Sequence, residues 1–397
     1  MINSLSSKKE QLTKVIDPFV YIYFTVFFIF SNAALATERY ANFVAVILMG
    51  LLLIYGIIEH SHVISTFSVL YAAFSAFCFL STTWAIDHDM AMMRAKTVFR
   101  LFVLAVLLYN YCASEKKRML IVNAVFVAGV FYACFYYLYY GHKEIIDSIL
   151  TGSRIGADIN DQNGMSFSIA MSMIVGMYYL IFEKKYWTIP ILLFGLSAIL
   201  ATGSREGFIC FFAGLFILVF LRARGWRKLI AVGVVVALVA ALYLMRNLPF
   251  LAPIMGRMEE ALATLSNSGD GSSEIRIGLI KLGLSIFKEH PVLGVGMGGT
   301  HSIAGQFYEI NYYLHNNYAE LLACGGAVGF ILYYALNLTG SVIGLAKKKL
   351  DNCFYLALAL NIVLLISEMT NVSYYDKVPS IIILNSYVAL VGMRDNA

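Results

Sequence analysis

The segment "YYLHNNYAELLACGGAVGF", residues 312–330, joins a polar beginning to a long apolar run. Its first nine residues carry four polar side chains, those of His315, Asn316, Asn317 and Glu320. A helix needs about 20 mostly apolar residues to cross a bilayer, and the apolar run over about 316–340 is long enough. The segment therefore predicts a membrane-spanning helix whose first turn is polar.

The composition of the whole chain agrees with a membrane protein. Of its 397 residues, 60% are hydrophobic and only 13% are charged, whereas soluble domains carry about 25% charged residues. We therefore predict an all-α polytopic membrane protein, with residues 1–397 forming a single integral-membrane domain and membrane lipids as its surroundings. The net charge of +5 does not indicate a nucleic-acid partner, because the Lys and Arg residues cluster in short segments between apolar runs.

We predict about twelve transmembrane helices from the apolar runs. The runs lie at about 18–36, 40–58, 62–84, 96–113, 119–140, 164–182, 188–202, 206–221, 229–246, 316–340, 352–369 and 378–393. The first run ends in "NAALATE", whose A-L-A resembles a signal-peptidase site. Because this run is long enough to span a bilayer, we interpret it as the first helix.

The distribution of basic residues predicts the orientation of the chain. With the N- and C-termini in the cytoplasm and the helices alternating, every dense basic cluster lies on the cytoplasmic side. The clusters are Lys8, Lys9 and Lys14; Lys116, Lys117 and Arg118; Lys184 and Lys185; Arg222, Arg224, Arg227 and Lys228; and Lys347, Lys348 and Lys349. Two longer loops then lie on the outer side, at about 141–163 and at about 247–315, of which only the second is large.

The large outer loop contains the sequence "SSEIRIGLIKLGLSIFKEHP", residues 272–291. An apolar stripe of helical period runs along it through Ile275, Leu279, Leu282 and Ile286. We predict an amphipathic helix that ends before Pro291 and lies on the membrane or over the bundle. The stretch 87–97 is interpreted as a second, shorter surface helix.

Three arginines on the predicted outer side are candidate binding residues. Arg154 lies in "TGSRIG" and Arg205 in the similar "TGSREG". Arg154 is either a solvated loop residue or a ligand-binding one. Arg205 joins two spans with almost no loop, so its partner is either an anionic ligand or a carboxylate such as Glu206, because an arginine within a span costs about 2.5–3.5 kcal/mol. Arg276 opens the amphipathic helix and is either solvated or directed at the same anion, for which the planar guanidinium is well suited.

His315 is the candidate general base. Histidine has an unperturbed pKa of about 6.5 and can accept a proton at neutral pH. The alternative is a helix-end histidine bonded to a carbonyl, but its position at the outer end of a span, after the arginine-bearing loop, favours a catalytic role.

No cofactor or metal is predicted. The glycine-rich segment "HPVLGVGMGGTH", residues 290–301, lacks the Lys-Ser/Thr of a P-loop and the surrounding strand–helix unit. We interpret it as a flexible turn that lets the backbone approach a ligand closely. The six cysteines are scattered through apolar runs without C-x-x-C or metal-ligand spacing, which is typical of small buried side chains.

At these residues the sequence resembles the O-antigen ligase / O-antigen polymerase superfamily of bacterial envelope glycosyltransferases. "ATGSREGF" is similar to the family's arginine at a short periplasmic turn, "SSEIRIGL" to its second arginine, and "HPVLGVG" followed by "LHNNYAELLACGGAVG" to the segment that carries the family histidine. These three segments occur in the same order as in the family, with a large periplasmic loop between late spans. The resemblance therefore extends over most of the chain. The resemblance carries the family's functional residues onto Arg205, Arg276 and His315.

The resemblance implies a nucleotide- and metal-independent transferase at the periplasmic face of the inner membrane. Its donor would be a glycan on undecaprenyl pyrophosphate, held by Arg205 and Arg276, with His315 as general base on the acceptor hydroxyl. Arg154, Asn316 and Glu320 are expected to bind substrate or orient this site, and a chain-length regulator protein is an expected partner.

The resemblance leaves the acceptor open. The first interpretation is a polymerase that joins lipid-linked repeat units, and the second is a ligase that transfers finished polymer to lipid A–core, or a related transferase with a protein acceptor. A transporter or flippase is the non-enzymatic alternative, although such proteins usually place charged residues near the middle of the membrane, and here the charges lie at the outer face.

Overall fold

The computed structural model describes residues 2–30, 37–59, 64–159, 161–244, 256, 271–308, 313–347 and 350–393. These residues form fourteen α-helices and contain no β-strand. The chain divides into two compact units. The first unit comprises residues 1–58, 119–266 and 351–363, and the second comprises residues 59–118, 267–350 and 364–397.

The helices are named in chain order. They are α1 (Ile2–Phe30), α2 (Glu38–Glu59), α3 (Thr66–Leu80), α4 (His88–Ser114), α5 (Leu120–Thr151), α6 (Gln162–Glu183), α7 (Thr188–Thr202), α8 (Arg205–Arg222), α9 (Arg227–Leu244), α10 (Gly271–Glu289), α11 (Thr300–Tyr308), α12 (Asn317–Leu345), α13 (Asn352–Ser367) and α14 (Lys377–Val388). A 3₁₀ turn, Ser81–Thr83, follows α3.

Each of the predicted apolar runs coincides with one of these helices, so the all-α fold class is confirmed. By length and composition, six segments within the described residues could cross a membrane: Lys9–Phe30, Glu38–Glu59, Thr66–Thr83, Leu120–Thr151, Gln162–Glu183 and Asn317–Leu345. Two apolar helices, Thr188–Thr202 and Asn352–Ser367, are shorter. The count of about twelve spans stays a prediction, and the A-L-A sequence after α1 lies outside the described residues.

In the first unit, α6 is packed on several sides by neighbouring helices. Small residues let the backbones approach, as is usual between membrane helices. A Cβ at Gly129 of α5 would lie 2.1 Å from the Cβ of Ser172, and one at Gly195 of α7 would lie 2.4 Å from the Sδ of Met173. Ser172 Oγ donates to Val125 O at 2.9 Å, so the contact between α5 and α6 also satisfies a polar group.

In the second unit, α12 is broken at Gly326, whose φ of 59° and ψ of −163° are not helical. The segment that follows α10 packs into this break. Ala327 N donates to Pro291 O at 2.9 Å, Val295 N to Ala323 O at 3.0 Å and Gly296 N to Cys324 O at 2.9 Å. Backbone groups that the break removes from the helical pattern are therefore paired with another segment, which is how broken helices are tolerated.

The glycines of residues 290–301 make this packing sterically feasible. Gly294 has a φ of 63°, and a Cβ there would lie 2.4 Å from the carbonyl carbon of Cys324. A Cβ at Gly326 would lie 2.4 Å from the backbone of Val292. We predicted a turn that brings the backbone close to a ligand; at these glycines the structure brings it close to α12 instead.

The helix predicted in "SSEIRIGLIKLGLSIFKEHP" is confirmed as α10, which ends at Glu289 before Pro291, whereas the large periplasmic loop stays a prediction. Its residues Leu279 and Ile286 are buried in a cluster with Leu314 and Ala319, so the apolar stripe faces the beginning of α12. Ile275, at the start of the stripe, is 37% exposed. Of the loop predicted over 247–315, residues 247–255, 257–270 and 309–312 lie outside the described residues.

The prediction of a separate surface helix over 87–97 is wrong. This stretch forms the first turns of α4, which continues without interruption to Ser114. Asp87 is the N-cap and its Oδ1 accepts from Met90 N at 2.9 Å. Since no proline or glycine interrupts residues 88–114, the polar beginning and the apolar run form one helix.

Candidate functional site

The two near-identical sequences in the first unit are helix ends. Gly152 follows α5 with a φ of 73°, and Gly203 follows α7 with a φ of 60°. Both glycines cap their helices in the left-handed conformation that commonly ends a helix. The ends lie together, since Ser148 Oγ donates to Ala201 O at 2.9 Å. The Thr-Gly-Ser repetition thus reflects two helix ends of the same kind at one place.

Arg154 connects these two helix ends. Its Nε donates to Thr202 O at 3.2 Å, and Nη2 donates to Asn163 Oδ1 at 3.3 Å. Ser204 Oγ also donates to Asn163 Oδ1, at 3.0 Å. A guanidinium at the carbonyl end of α7 is favoured by the helix dipole. Arg154 is exposed, but these bonds distinguish it from an unattached loop arginine.

Arg205 is the first residue of α8 and is half-buried. Ser204 caps this helix and accepts from Gly207 N at 3.4 Å. A Cβ at Gly207 would lie 2.5 Å from the Cβ of Ser166, so the first turn of α8 is pressed against α6. Arg205 therefore belongs to the first turn of α8, where the positive end of the helix dipole favours an anion.

His315 lies in the second unit, directly before α12. Its φ of 52° is uncommon for a residue other than glycine, although histidine is among the types enriched there. Its half-buried ring lies beside that of Tyr313, with 4.4 Å between the centroids. The next residue, Asn316, is the N-cap of α12. Its Oδ1 accepts from Ala319 N at 2.8 Å, and its Nδ2 donates to Met369 O at 3.0 Å.

Glu320 holds the chain on the other side of His315. Its side chain is buried. Oε2 accepts from Leu314 N at 3.0 Å, and Oε1 accepts from Thr300 Oγ1 at 2.7 Å. Glu320 therefore ties the residue before the histidine and the start of α11 to the first turn of α12.

A second buried carboxylate, that of Glu368, belongs to a residue that contacts the first turn of α12. Glu368 accepts hydrogen bonds from Tyr333 OH at 2.7 Å and Tyr334 OH at 2.9 Å, and its backbone carbonyl accepts from Asn317 N at 2.8 Å. Asn317 Oδ1 in turn accepts from Ser373 N at 2.9 Å. The sequence predicts that Glu368 belongs to the apolar span over about 352–369. An ionisable residue inside a predicted span is itself a signal of a functional or network role.

Arg94, Asp87 and His301 form another polar cluster in the second unit that sequence reasoning missed. The Arg94 guanidinium carbon lies 3.6 Å from the centre of the Tyr375 ring, and its Nε is buried without a hydrogen-bond partner among the described residues. Ser302 donates a hydrogen bond to Asp87 Oδ2, which is the main reason that the pKa of Asp87 is lowered. Burial, followed by the charge of Arg94, lowers the pKa of His301.

Arg276 is half-buried in the second turn of α10. In the part of the chain that the structure describes, neither a hydrogen bond nor an ion pair of Arg276 is formed. The structure thus brings His315, Asn316 and Glu320 together at the start of α12 and places Arg276 on the helix that packs there. Arg154 and Arg205 belong to the first unit. Among the described residues, no group of three or more His, Cys, Asp or Glu side chains could hold a metal ion.

The described residues form an all-helical fold with six helices that are long and apolar enough to cross a membrane. Residues 190–334 match the family model described as "O-Antigen ligase". The match runs from α7 into α12 and includes Arg205, Arg276, His315 and Glu320. The match supports the resemblance of this chain to the O-antigen ligase/polymerase superfamily. A comparison with curated proteins gives no match.

Proposed function

We propose that the protein is a glycosyltransferase that transfers a glycan from undecaprenyl pyrophosphate to an acceptor hydroxyl at the periplasmic face of the bacterial inner membrane. The observation that carries the proposal is the conformation of His315. The histidine is held between Glu320, through Leu314, and the cap residue Asn316, and its ring is only half-buried. A rigidly held, accessible imidazole within the matched region is suited to act on a substrate proton.

In the proposed reaction, His315 accepts the proton of the acceptor hydroxyl as its oxygen attacks the anomeric carbon of the donor sugar. A new glycosidic C–O bond forms, the C–O bond to phosphate breaks, and undecaprenyl pyrophosphate leaves with the electron pair. Arg205 and Arg276 are proposed to bind the pyrophosphate and stabilise its developing charge. The leaving pyrophosphate supplies the driving force, so the step requires neither a nucleotide nor a metal, and direct displacement inverts the anomeric centre.

Three further residues are proposed to support this step. Asn316 and Glu320 orient His315 through the hydrogen bonds described above. Arg154, which is exposed beside the N-terminus of α8, is proposed to contact the glycan or the acceptor. The proposed topology has about twelve spans with both termini in the cytoplasm.

The acceptor distinguishes two versions of the proposal. Our first proposal is a polymerase, whose acceptor is another lipid-linked repeat unit, and for which a chain-length regulator is a proposed partner. The second is a ligase, whose acceptor is lipid A–core. Both use the same donor and the same three charged residues.

The test is a gel profile of surface polysaccharide from a strain that lacks the gene and carries plasmid-borne wild type, His315→Ala or the control His290→Ala. His290 is an exposed histidine elsewhere in the matched region. Wild type and His290→Ala should restore the profile, and His315→Ala should not. Loss of the ladder with one repeat still on lipid A–core would identify a polymerase. Accumulation of lipid-linked polymer without attached glycan would identify a ligase, and full restoration by His315→Ala would refute the proposed base.

A further inference from the structure

A basic cavity lies at one end of the first unit, at the opposite end of α8 from Arg205. Its volume is about 740 Å³. It is formed where α6 and α8 end and where α9 and α13 begin. Four cationic residues line it, and they are Arg222, Arg224, Arg227 and Lys228. None of them takes part in the proposed glycosyl transfer.

Among the described residues that line this cavity, none carries a carboxylate. Two acidic residues adjoin lining residues in the sequence, and both have other contacts: Glu183 pairs with Lys185 at 2.7 Å, and Asp351 Oδ1 accepts from Phe354 N at 2.9 Å. Within the described residues, no ion pair involves any of the four cations. Four positive charges within seven consecutive residues repel one another, so an anion bound among them gains the attraction of all four.

Aromatic rings hold two of these cations in place without neutralising them. The Arg222 guanidinium carbon lies 5.1 Å from the centre of the Phe182 ring, and Lys228 Nζ lies 4.9 Å from the centre of the Phe220 ring. Both distances are within the range of a cation–π contact. The charges remain available to a ligand, and a guanidinium can bind phosphate oxygens through two parallel hydrogen bonds.

The remaining wall of the cavity is apolar. Ile181, Phe182, Val219 and Leu221 contribute to it, and these residues belong to the final turns of α6 and α8. The neighbouring Trp226 is 70% exposed, and tryptophan is enriched where a membrane meets water. A ligand that fits both parts of the wall has a phosphate at one end and a hydrocarbon chain at the other.

We propose that this cavity binds the phosphate of an anionic phospholipid headgroup, with the acyl chains lying along the ends of α6 and α8. Basic pockets between helices on the cytoplasmic side of membrane proteins commonly bind such headgroups. The four cations belong to one of the clusters that the charge distribution assigns to the cytoplasmic side. The proposal does not depend on the glycosyltransferase function.

The test measures thermal unfolding of the full-length protein in a neutral detergent, with added phosphatidylglycerol or with phosphatidylcholine of the same acyl chains. Wild type is compared with Arg224→Gln/Arg227→Gln and with the control Lys14→Gln/Lys116→Gln, which removes two charges predicted to lie on the same side but outside the cavity. Phosphatidylglycerol should raise the midpoint by several degrees more than phosphatidylcholine in wild type and control, and this difference should disappear in the cavity variant.

Native mass spectrometry of the same samples counts the bound lipid, so the result does not rest on stability alone. Wild type and control should retain phosphatidylglycerol, and the cavity variant should lose it. Inorganic phosphate is the third ligand tested. Equal retention of phosphatidylglycerol by all three proteins would overturn the proposed site, and stabilisation by inorganic phosphate without any by phosphatidylglycerol would replace the lipid with a soluble anion.

Discussion

Glu320 Oε2 accepts a hydrogen bond from Leu314 N at 3.0 Å. A buried carboxylate of α12 thus determines the position of the backbone directly before His315. The other oxygen of the same carboxylate accepts from Thr300 Oγ1 at 2.7 Å. One side chain thus connects α11, the residue before the histidine and the first turn of α12. This connection explains how a histidine outside any helix is kept in one left-handed conformation.

Replacing Glu320 by alanine should impair both folding and glycan transfer. Leu314 N and Thr300 Oγ1 would lose their acceptors in a buried place, which costs about 1–3 kcal/mol for each unsatisfied group. We expect a lower unfolding midpoint and loss of the surface polysaccharide ladder. Glu320→Gln keeps one acceptor oxygen and should retain more of both. The control is Glu274→Gln, at an exposed position on α10, and a wild-type ladder from Glu320→Ala would contradict the positioning role.

Gly294→Ala should destabilise the second unit. The added Cβ would lie 2.4 Å from the carbonyl carbon of Cys324, at a φ of 63°. Such a backbone conformation costs about 1–3 kcal/mol for a residue with a side chain, and the clash with a backbone atom adds to this cost. Gly392→Ala is the matched control, because its φ is 73° but nothing lies within 4 Å of the added Cβ. Thermal unfolding should show a clearly larger loss for Gly294→Ala, and equal losses would refute the close packing.

Ser302→Ala should lower stability at neutral pH, and its effect should fade in acid. Ser302 donates a hydrogen bond to Asp87, and this bond lowers the pKa of the carboxyl below its ordinary value. A carboxyl with a lowered folded-state pKa stabilises the protein above its unfolded pKa, and the contribution is lost as the pH falls through the folded value. We expect a loss of about 1–3 kcal/mol at pH 7.

The measurement for this variant is the unfolding free energy of wild type and Ser302→Ala at neutral pH and at a pH below the Asp87 pKa. Ser285→Ala is the control, since Ser285 Oγ donates to Leu282 O at 2.7 Å on an exposed surface without a carboxylate. The difference between wild type and Ser302→Ala should shrink in acid, whereas that of Ser285→Ala should not. A constant difference would show that the Asp87 charge is not involved.

Arg154→Lys should reduce glycan transfer although the charge is kept. Lysine cannot reproduce the two bonds that the guanidinium makes to Thr202 O and Asn163 Oδ1, because it lacks the planar fork. We expect a partial loss of the polysaccharide ladder, smaller than that of Arg205→Gln, which removes a proposed pyrophosphate ligand. Lys143→Gln, on the same outer segment by prediction, serves as the control. A normal ladder from Arg154→Lys would show that the positive charge at this position is sufficient and that the two guanidinium hydrogen bonds are not needed for transfer.

The all-α class and the position of nearly every helix follow from the sequence alone. Apolar runs, capping residues and the proline at 291 are local signals, and local signals are sufficient for helices. The same signals located α10 and the start of α12. They failed at residues 87–97, where the polar beginning of α4 was interpreted as a separate helix. The N-cap Asp87 lies in this polar stretch, whereas the apolar residues that continue the same helix lie after residue 97.

The contacts of the polar residues, by contrast, depend on how the helices pack. Hydrogen bonds between Glu320 and Leu314 or between Arg154 and Thr202 join groups that no sequence period relates, and the break of α12 at Gly326 depends on a segment about 30 residues earlier. The same holds for the Arg94 cluster and for the basic cavity beside Phe182. Charge and hydropathy can be read along the chain, whereas the partner of a charge depends on how helices pack, because side-chain contacts form between segments that are distant in sequence.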